Sequence, residues 1–297
     1  MISLDEKIRL AGFNWLRQQT DIHGDVLPRE LLAEGFIFEN ERVPLVSPQG
    51  IFKPKIMELP LTITTTPKSR YEDALRDDGF LNYKYRGEDI NYWDNVGLRE
   101  CMKRKTPLVY LLGIVPGKYL PVWPVYIVGD DPGNLTFIVE ADMLENQVRD
   151  GDKVYEKDIT KLYSTTTVKV RIHQKAFREK VLYAYRTQCT FCRLKHSELL
   201  DAAHILPDDE VESKPTVDNG LALCKLHHAA FDKYFIGITP DYQIVVRKEV
   251  LDEEDGPMLQ HGLKGLHNTK LYLPKHKIDY PNKNLLDIKY QRFKNAS

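Results

Sequence analysis

The first 140 residues or so alternate between short apolar runs and turn residues. The runs are rich in β-branched and aromatic residues, and polar clusters such as SPQG, DDG and GDDPGN separate them. They read RVPLV, LPLTITTT, FLNYKY, PLVYLLGIV, YLPVWPVYIV and LTFIVE. Runs of this composition, bounded by Gly, Pro, Asp and Asn, are typical of β-strands joined by turns. The pattern therefore predicts a mostly β domain over this part of the chain.

Two helices are expected beside these strands. The first is SLDEKIRLAGFNWLRQQ, in which Ser3 is the predicted N-cap and Glu6 stands at the spacing of a capping box. The second is DNVGLRECMKRK, after a turn at Asp94. Together with the strands, they predict an α+β fold class.

A change of pattern divides the chain in two. Between about 141 and 170 the apolar runs weaken and charge rises, as in a linker. HQKAFREKVLYAYRTQ follows, with apolar residues at helical spacing, and it leads directly to Cys189. We therefore predict a first domain over 1–150, a linker over 151–170 and a second domain over 171–297.

Composition narrows the class of protein. With 297 residues, 42% of them hydrophobic and 29% charged, the chain can bury two modest cores and does not resemble a disordered protein. No segment approaches the roughly 18 apolar residues of a membrane span, and the N-terminus lacks the features of a signal peptide. A cytoplasmic protein with no membrane partner is expected. A net charge of -1 is compatible with a basic face that binds nucleic acid.

Three of the four cysteines lie close together. Cys189 and Cys192 form CTFC, and Cys224 and His227 belong to CKLHH. Four sulfur and nitrogen ligands in two short pairs are the usual arrangement of a structural Zn²⁺ site. A thioredoxin-type redox pair would need a preceding strand in a βαβ unit and would leave the second pair without a role. The remaining alternative is a set of buried small residues with no ligand function.

The residues around the cysteines carry a family resemblance. DAAHILP, NGLALC and HHAAFD place His204, Asn219 and His228 in the order of His-Asn-His nucleases. The region from about 171 to 245 resembles an HNH endonuclease domain, a ββα-metal fold braced by zinc. The resemblance implies that His204 is the general base and that Asn219 orients the catalytic loop. It also implies that His228 and Asp232 hold a catalytic Mg²⁺ or Mn²⁺, since residues four apart share one helix face.

One position departs from that family. Many relatives have an Asp or His directly before the base histidine as a further metal ligand, and this chain has Ala203. Asp201, two residues earlier on a predicted strand, points to the same side and is our candidate replacement. A water or a substrate oxygen is the alternative. We interpret the nearby acidic run of Asp208, Asp209, Glu210 and Glu212 as a solvated loop.

The first domain carries a second resemblance. SRYEDALRDDGFLNYKYRGEDINYWDN, with its aromatic and glycine landmarks, is similar to the SRA fold, a PUA-like β-barrel that binds modified cytosine. That family flips the base from the duplex and stacks it between aromatic rings. Tyr71 with Tyr85, or with Tyr83, is the candidate stacking pair, and Asp73 is the candidate acceptor for the exocyclic amine. The family's usual carboxylate falls nearer Ala74, so the modification stays open. Six basic residues are further candidates for phosphate contacts: Lys68, Arg70, Arg86, Lys103, Arg104 and Lys105.

Together the two resemblances predict a modification-dependent restriction endonuclease. Its partner would be modified double-stranded DNA, and a homodimer would place one active site on each strand. Two alternatives stay open. One is a zinc-braced reader of modified DNA whose nuclease site has decayed at Ala203. The other is an HNH nuclease triggered by a different DNA mark or by a small molecule.

Overall fold

The structure is a computed structural model that describes residues 3–67, 80–141, 172–207, 210, 213–254 and 256–296. The chain forms two compact units, Met1–Lys175 and Ala176–Ser297. Within the described ranges, no helix combines the length and apolarity needed to cross a membrane. The predicted linker 151–170 lies outside the described residues, so the predicted division into 1–150, 151–170 and 171–297 stays a prediction.

The first unit is built on one mixed sheet. Its strands are β1 Leu27–Pro28, β4 Ile51–Phe52, β5 Thr62–Thr65, β6 Leu81–Lys84, β7 Leu108–Val115, β8 Lys118–Asp131 and β9 Thr136–Ala141, while β2 Phe36–Phe38 and β3 Glu41–Val43 form a separate hairpin. The strand order is β4-β5-β7-β8-β9-β6, and β1 pairs with β8. All pairs are antiparallel except β5 with β7. Five of the predicted apolar runs coincide with or overlap strands of this sheet, and RVPLV overlaps β3.

The described part of this sheet is open, yet it curves strongly. β4 and β6 stand at its two ends. Tyr83 on β6 nevertheless donates a hydrogen bond to the Thr64 carbonyl on β5, at 3.3 Å, and meets Tyr110 of β7 edge to face. The sheet thus bends like half of a barrel. A closed PUA/SRA-like barrel is not confirmed.

Three helices accompany the sheet. They are α1 Leu4–His23, α2 Arg29–Glu34 and α3 Trp93–Lys103. The predicted capping box is confirmed: Ser3 Oγ accepts from the Glu6 amide at 3.2 Å, and the Glu6 carboxylate accepts from the Ser3 amide at 2.7 Å. Apolar residues of α1 and α2 pack with residues of β7 and β8 in one core. The predicted helix after Asp94 corresponds to α3, and Asp94 pairs with Arg86 rather than capping the helix.

The second unit combines hairpins with short helices. Helix α4 covers residues 172–184, and it delivers the chain to the cysteine turn as predicted. The remaining elements are β10 Leu200–His204, β11 Gly220–Cys224, α5 Lys225–Asp232, β12 Ile236–Ile238, β13 Ile244–Val246, α6 Lys248–Asp252, α7 Pro257–Gly262 and α8 Lys283–Asn295. β10, β11 and α5 follow one another as a ββα unit. Residues of α4, of both hairpins and of α8 share one apolar core.

Candidate active site and metal centre

The β10–β11 hairpin separates two clusters of functional side chains. Its antiparallel register pairs Leu200 with Cys224 at one end and His204 with Gly220 at the other. α5 starts directly after Cys224, so the helix begins at the cysteine end of the hairpin. The register therefore brings one cysteine ligand and the candidate base to opposite ends of the same short hairpin.

The four predicted zinc ligands come together. One atom each from Cys189, Cys192, Cys224 and His227 lies within 4.8 Å of the other three. His227 Nδ1 stands 3.4 Å from the Cys189 sulfur and 3.2 Å from the Cys224 sulfur. All but Cys192 are buried. Three thiols and one imidazole at this separation form a Cys₃His set, which is a common donor set of structural zinc sites.

The second ring nitrogen of His227 explains why the first one faces the sulfurs. His227 Nε2 donates to the Gly262 carbonyl at the end of α7, at 2.7 Å. This bond keeps the proton on Nε2 and leaves the lone pair of Nδ1 directed at the cysteines. A carbonyl partner of this kind is typical of metal-binding histidines. The residues present therefore fit a zinc ion, and Gly262 is a supporting contact that the spacing of Cys and His does not reveal.

The turn that carries the first cysteine pair is joined to two other segments. The Thr190 amide donates to the Ala222 carbonyl of β11 at 2.7 Å. Thr190 and Tyr272 also exchange two bonds, from Thr190 Oγ1 to the Tyr272 carbonyl at 2.8 Å and from the Tyr272 amide to the Thr190 carbonyl at 2.9 Å. These bonds hold the cysteine turn against the hairpin.

His204 ends β10 and stacks on an aromatic ring. Its imidazole lies 4.0 Å from the Phe177 ring, centroid to centroid, and the two planes differ by 7°. Phe177 belongs to α4, which approaches the hairpin closely because position 220 is glycine. A Cβ on Gly220 would lie 2.4 Å from Val181 Cγ2 and 2.9 Å from Phe177 Cζ. Gly220 thus leaves space for the ring that orients His204.

Asn219 is fully buried and braces the loop between the two strands. Its side-chain oxygen accepts from the Leu206 amide at 3.0 Å, and its nitrogen donates to the carbonyls of Leu206 and Lys214, both at 3.1 Å. The same nitrogen reaches Ser213 Oγ at 3.0 Å. Its backbone carbonyl accepts from the Ile205 amide at 2.9 Å. Asn219 therefore holds the backbone directly after His204.

His228 on α5 lies between two carboxylates. Its Nε2 is 3.2 Å from Asp232 Oδ2, one helical turn later. Its Nδ1 is 3.5 Å from Asp201 Oδ2 on β10. Asp201 Oδ2 also accepts from Lys225 Nζ at 2.5 Å. Within the described residues, the cysteine cluster is the only group of three or more ligand atoms that meets so closely.

The charges of this group support one another. The hydrogen bond with Asp232 raises the pKa of His228 and outweighs the opposing effect of burial. Burial works to raise the pKa of Asp232, yet its bond with His228 lowers that pKa overall. The Asp201 pKa is also lowered, because the bonds from Lys225 and His228 outweigh burial. The two carboxylates thus favour the protonated form of His228, and the imidazole in turn favours the ionised form of each carboxylate.

A lysine from the C-terminal helix reaches the same end of α5. Lys289 Nζ lies 4.7 Å from the centre of the Phe231 ring and 5.1 Å from that of Tyr234. Burial lowers the pKa of Lys289, and nearby Asp232 opposes this shift. Neither Lys289 nor Phe177 was predicted from the sequence. No helix was predicted around Lys289, so its burial had no sequence signal, and the signal for Phe177 was only its place on a predicted helix.

The predicted base-binding residues are only partly described. Tyr71, Asp73, Lys68 and Arg70 lie outside the described residues, as do Asp208, Asp209 and Glu212 of the acidic run. Tyr83 and Tyr85 share one face of β6 and its extension, and both are buried. The Tyr85 hydroxyl donates to Asp130, and it accepts from Arg99 Nη2 at 2.9 Å. The two tyrosine rings therefore already have partners within the sheet, and their role in base binding stays a prediction.

The hairpin, the following helix and the His-Asn-His residues define a ββα nuclease domain. Comparison with known families agrees: residues 189–239 match the HNH_2 model, described as HNH endonuclease. The chain therefore contains an HNH endonuclease domain, and it is an enzyme of the metal-dependent nuclease class. This confirms the central part of the resemblance predicted over about 171–245.

Other comparisons add little. No curated protein matches the chain. Among solved structures, it is similar to one titled "Modification dependent TagI restriction endonuclease", with 14% identity over 79% of this chain and 81% of that one, and a TM-score of 0.28. A similarity with a TM-score this low indicates neither the fold nor the function of this protein.

Proposed function

We propose that the protein is a DNA endonuclease that hydrolyses phosphodiester bonds with a divalent cation. The observation that carries this proposal is the pairing of His228 with Asp232 on α5, beside the hairpin that ends in His204. The match of the same segment to HNH endonucleases supports it. Zn²⁺ at the Cys₃His cluster would have a structural role, and Mg²⁺ or Mn²⁺ would act at His228.

His204 is the proposed general base. It removes a proton from water, whose oxygen forms a bond to phosphorus while the bond to the 3′-oxygen breaks and its electron pair stays on that oxygen. Imidazole suits this step because its ordinary pKa lies near neutrality. Stacking on Phe177 and the loop held by Asn219 restrict the orientation of His204. A bound divalent cation would stabilise the charge that develops on the phosphate and on the leaving oxygen.

His228 and Asp232 are the proposed ligands of that cation. Asp201 faces the other ring nitrogen of His228 and also accepts from Lys225. We infer that Asp201 orients the imidazole, as carboxylates behind metal-binding histidines do. The alternative, our initial prediction, is that Asp201 is a ligand in place of the residue missing at Ala203. Asp201→Asn separates the two: an orienting role predicts a modest loss of metal affinity, about 10-fold, whereas a ligand role predicts a loss as large as that of Asp232→Asn.

The first unit is proposed to recognise modified DNA. The half-barrel curvature of the sheet and the aromatic strand β6 support this reading together with the SRA-like sequence landmarks. A 5-methyl- or 5-hydroxymethylcytosine would then bring the nuclease to its substrate. A homodimer would cut both strands, because one HNH centre cuts one strand.

Cleavage of matched DNAs tests the proposal. Otherwise identical duplexes would carry cytosine, methylcytosine, hydroxymethylcytosine or glucosylated hydroxymethylcytosine, with Mg²⁺ or Mn²⁺. We expect cutting of one modified substrate and no cutting by His204→Ala, while His196→Ala, an exposed histidine, should cut normally. Equal cutting of all four would keep the nuclease and reject the modified-base reader. No cutting with any metal would favour a decayed, DNA-binding protein, or an enzyme that needs another signal.

A further inference from the structure

A lysine occupies a core position of the C-terminal helix. The buried face of α8 consists of Leu286, Lys289 and Phe293, at the spacing of an apolar helix stripe. Lys289 is 7% exposed. Burying an ammonium group is unfavourable unless it is paired, so a helix that served only for packing would favour Leu or Met here. α8 also lies beyond the segment that matches HNH endonucleases, which ends at 239.

The amino group of Lys289 is held at the end of α5. It lies over the rings of Phe231 and Tyr234, which flank Asp232 in sequence. Aromatic faces attract a cation and partly replace its lost hydration. Phe231 precedes Asp232 directly and Tyr234 follows it by two positions, so the ammonium is held at the end of α5 that carries this carboxylate.

Lys289 differs from the arginine one turn later. Arg292 forms two bonds to Glu210, of 2.6 and 2.8 Å, so its charge is matched by a carboxylate. The described residues give Lys289 no hydrogen bond and no ion pair of that kind. A cation without a dedicated carboxylate is suited to an anion that arrives with the substrate. The anionic group that a nuclease receives at this place is a phosphodiester.

We propose that Lys289 binds a non-bridging oxygen of the phosphodiester that is cut, next to the His228–Asp232 pair. This inference rests on the proposed nuclease function. The phosphoryl group gains negative charge in the transition state, and a fixed ammonium in a partly buried site stabilises that charge without reorganisation. Lys289 is then a catalytic residue supplied by the C-terminal helix.

Lys289→Met tests this role, because methionine is unbranched and suits the apolar stripe. Removing a buried charge in favour of a well-packed apolar side chain is often neutral or stabilising. We expect the variant to keep its zinc and its thermal midpoint while kcat, on the modified duplex that the wild type cuts, falls about 100-fold, as for loss of one transition-state contact. Lys289→Arg should recover part of the activity. Lys294→Met is the matched control, since Lys294 is an exposed lysine of the same helix that also lies over an aromatic ring, and it should match the wild type.

A binding measurement separates this inference from the nuclease proposal. In a His204→Ala background, Lys289→Met should weaken binding of a DNA duplex and reduce the slope of log Kd against log salt by about one, the value for one phosphate contact. This readout applies even if the wild-type protein cuts no DNA. An unchanged slope together with unchanged kcat would overturn the role of Lys289. A lower thermal midpoint with loss of zinc, relative to Lys294→Met, would overturn it in favour of a packing role.

Discussion

His227 and His228 are neighbours in sequence, but their environments are opposite. His227 is buried among three thiols, with its outer nitrogen fixed by the Gly262 carbonyl. The His228 side chain is 27% exposed and lies between the carboxylates of Asp201 and Asp232. Soft sulfur ligands in a closed site favour Zn²⁺, whereas an open site with carboxylates suits Mg²⁺ or Mn²⁺. Two adjacent residues of α5 thus belong to different sites. The site of His227 is suited to stabilise the fold, and the site of His228 is suited to catalysis.

The largest expected effect comes from removing a cysteine ligand. Cys224→Ser should abolish tight zinc binding and unfold the second unit, since structural zinc contributes apparent free energies of about 10 kcal/mol or more. Elemental analysis of the wild type should give one zinc per chain, and circular dichroism should show the loss of structure in the variant. Cys101→Ser is the control, because Cys101 is buried in the first unit away from the cluster. A folded, zinc-containing Cys224→Ser protein would contradict the assignment.

Substitutions of the two histidines test whether the two sites have different roles. His228→Ala should keep one zinc per chain and a folded second unit, but lose about 1000-fold in kcat, because a catalytic cation contributes several kcal/mol. His227→Ala should instead lose zinc and stability, and activity only as a consequence. Zinc content, thermal unfolding and cleavage rate are measured on both proteins. If the two variants behaved alike, the two sites would not be functionally distinct.

A smaller effect is expected at the glycine opposite His204. Gly220→Ala places a methyl group against Val181 and Phe177, and such overpacking costs about 1 to 3 kcal/mol. The thermal midpoint should fall, and kcat should fall further because Phe177 no longer orients His204. Gly256→Ala has open space around its Cβ and should change neither quantity. A normal kcat in Gly220→Ala would show that the position of Phe177 does not contribute to catalysis.

The smallest expected effect is a pair of opposite pH trends, one in stability and one in affinity for Mn²⁺. The His228 pKa is raised in the folded protein, so its protonated form stabilises the fold below about pH 6.5, the ordinary histidine pKa, and this contribution is lost as pH rises through the raised value. A bound cation needs neutral imidazole, so affinity for Mn²⁺ should increase over the same pH window. Thermal unfolding without added Mn²⁺ and calorimetric titration with it measure the two trends. His228→Gln should flatten both, and a wild type with two flat profiles would contradict the pairing.

Local spacing predicted much of the second unit. The two ligand pairs around Cys189 and Cys224, the strand ending in His204 and the i, i+4 pair on α5 all depend on short-range geometry, which sequence periodicity reports well. In the first unit, the apolar runs predicted most strands for the same reason. The curvature of the sheet depends on contacts such as Tyr83 with Thr64, far apart in sequence, and no local pattern contains it.

Residues that act through tertiary contacts were not predictable in this way. Phe177 is an ordinary core residue of α4 until the fold places it under His204. Lys289 looks like a solvated lysine until α8 packs its stripe against the unit. The bond from Lys225 to Asp201 likewise exists only because α5 packs beside β10.

The two bonds between Thr190 and Tyr272 have a practical consequence for exchanging domains between proteins. They attach the cysteine turn to a segment more than thirty positions beyond the end of the family match at 239. A graft limited to 189–239 would carry the nuclease motif without this support, and also without Gly262. The transferable module is therefore the whole second unit together with the start of α4, from residue 172 onward. The portion of chain that must be inherited together is thus larger than the portion that bears the motif.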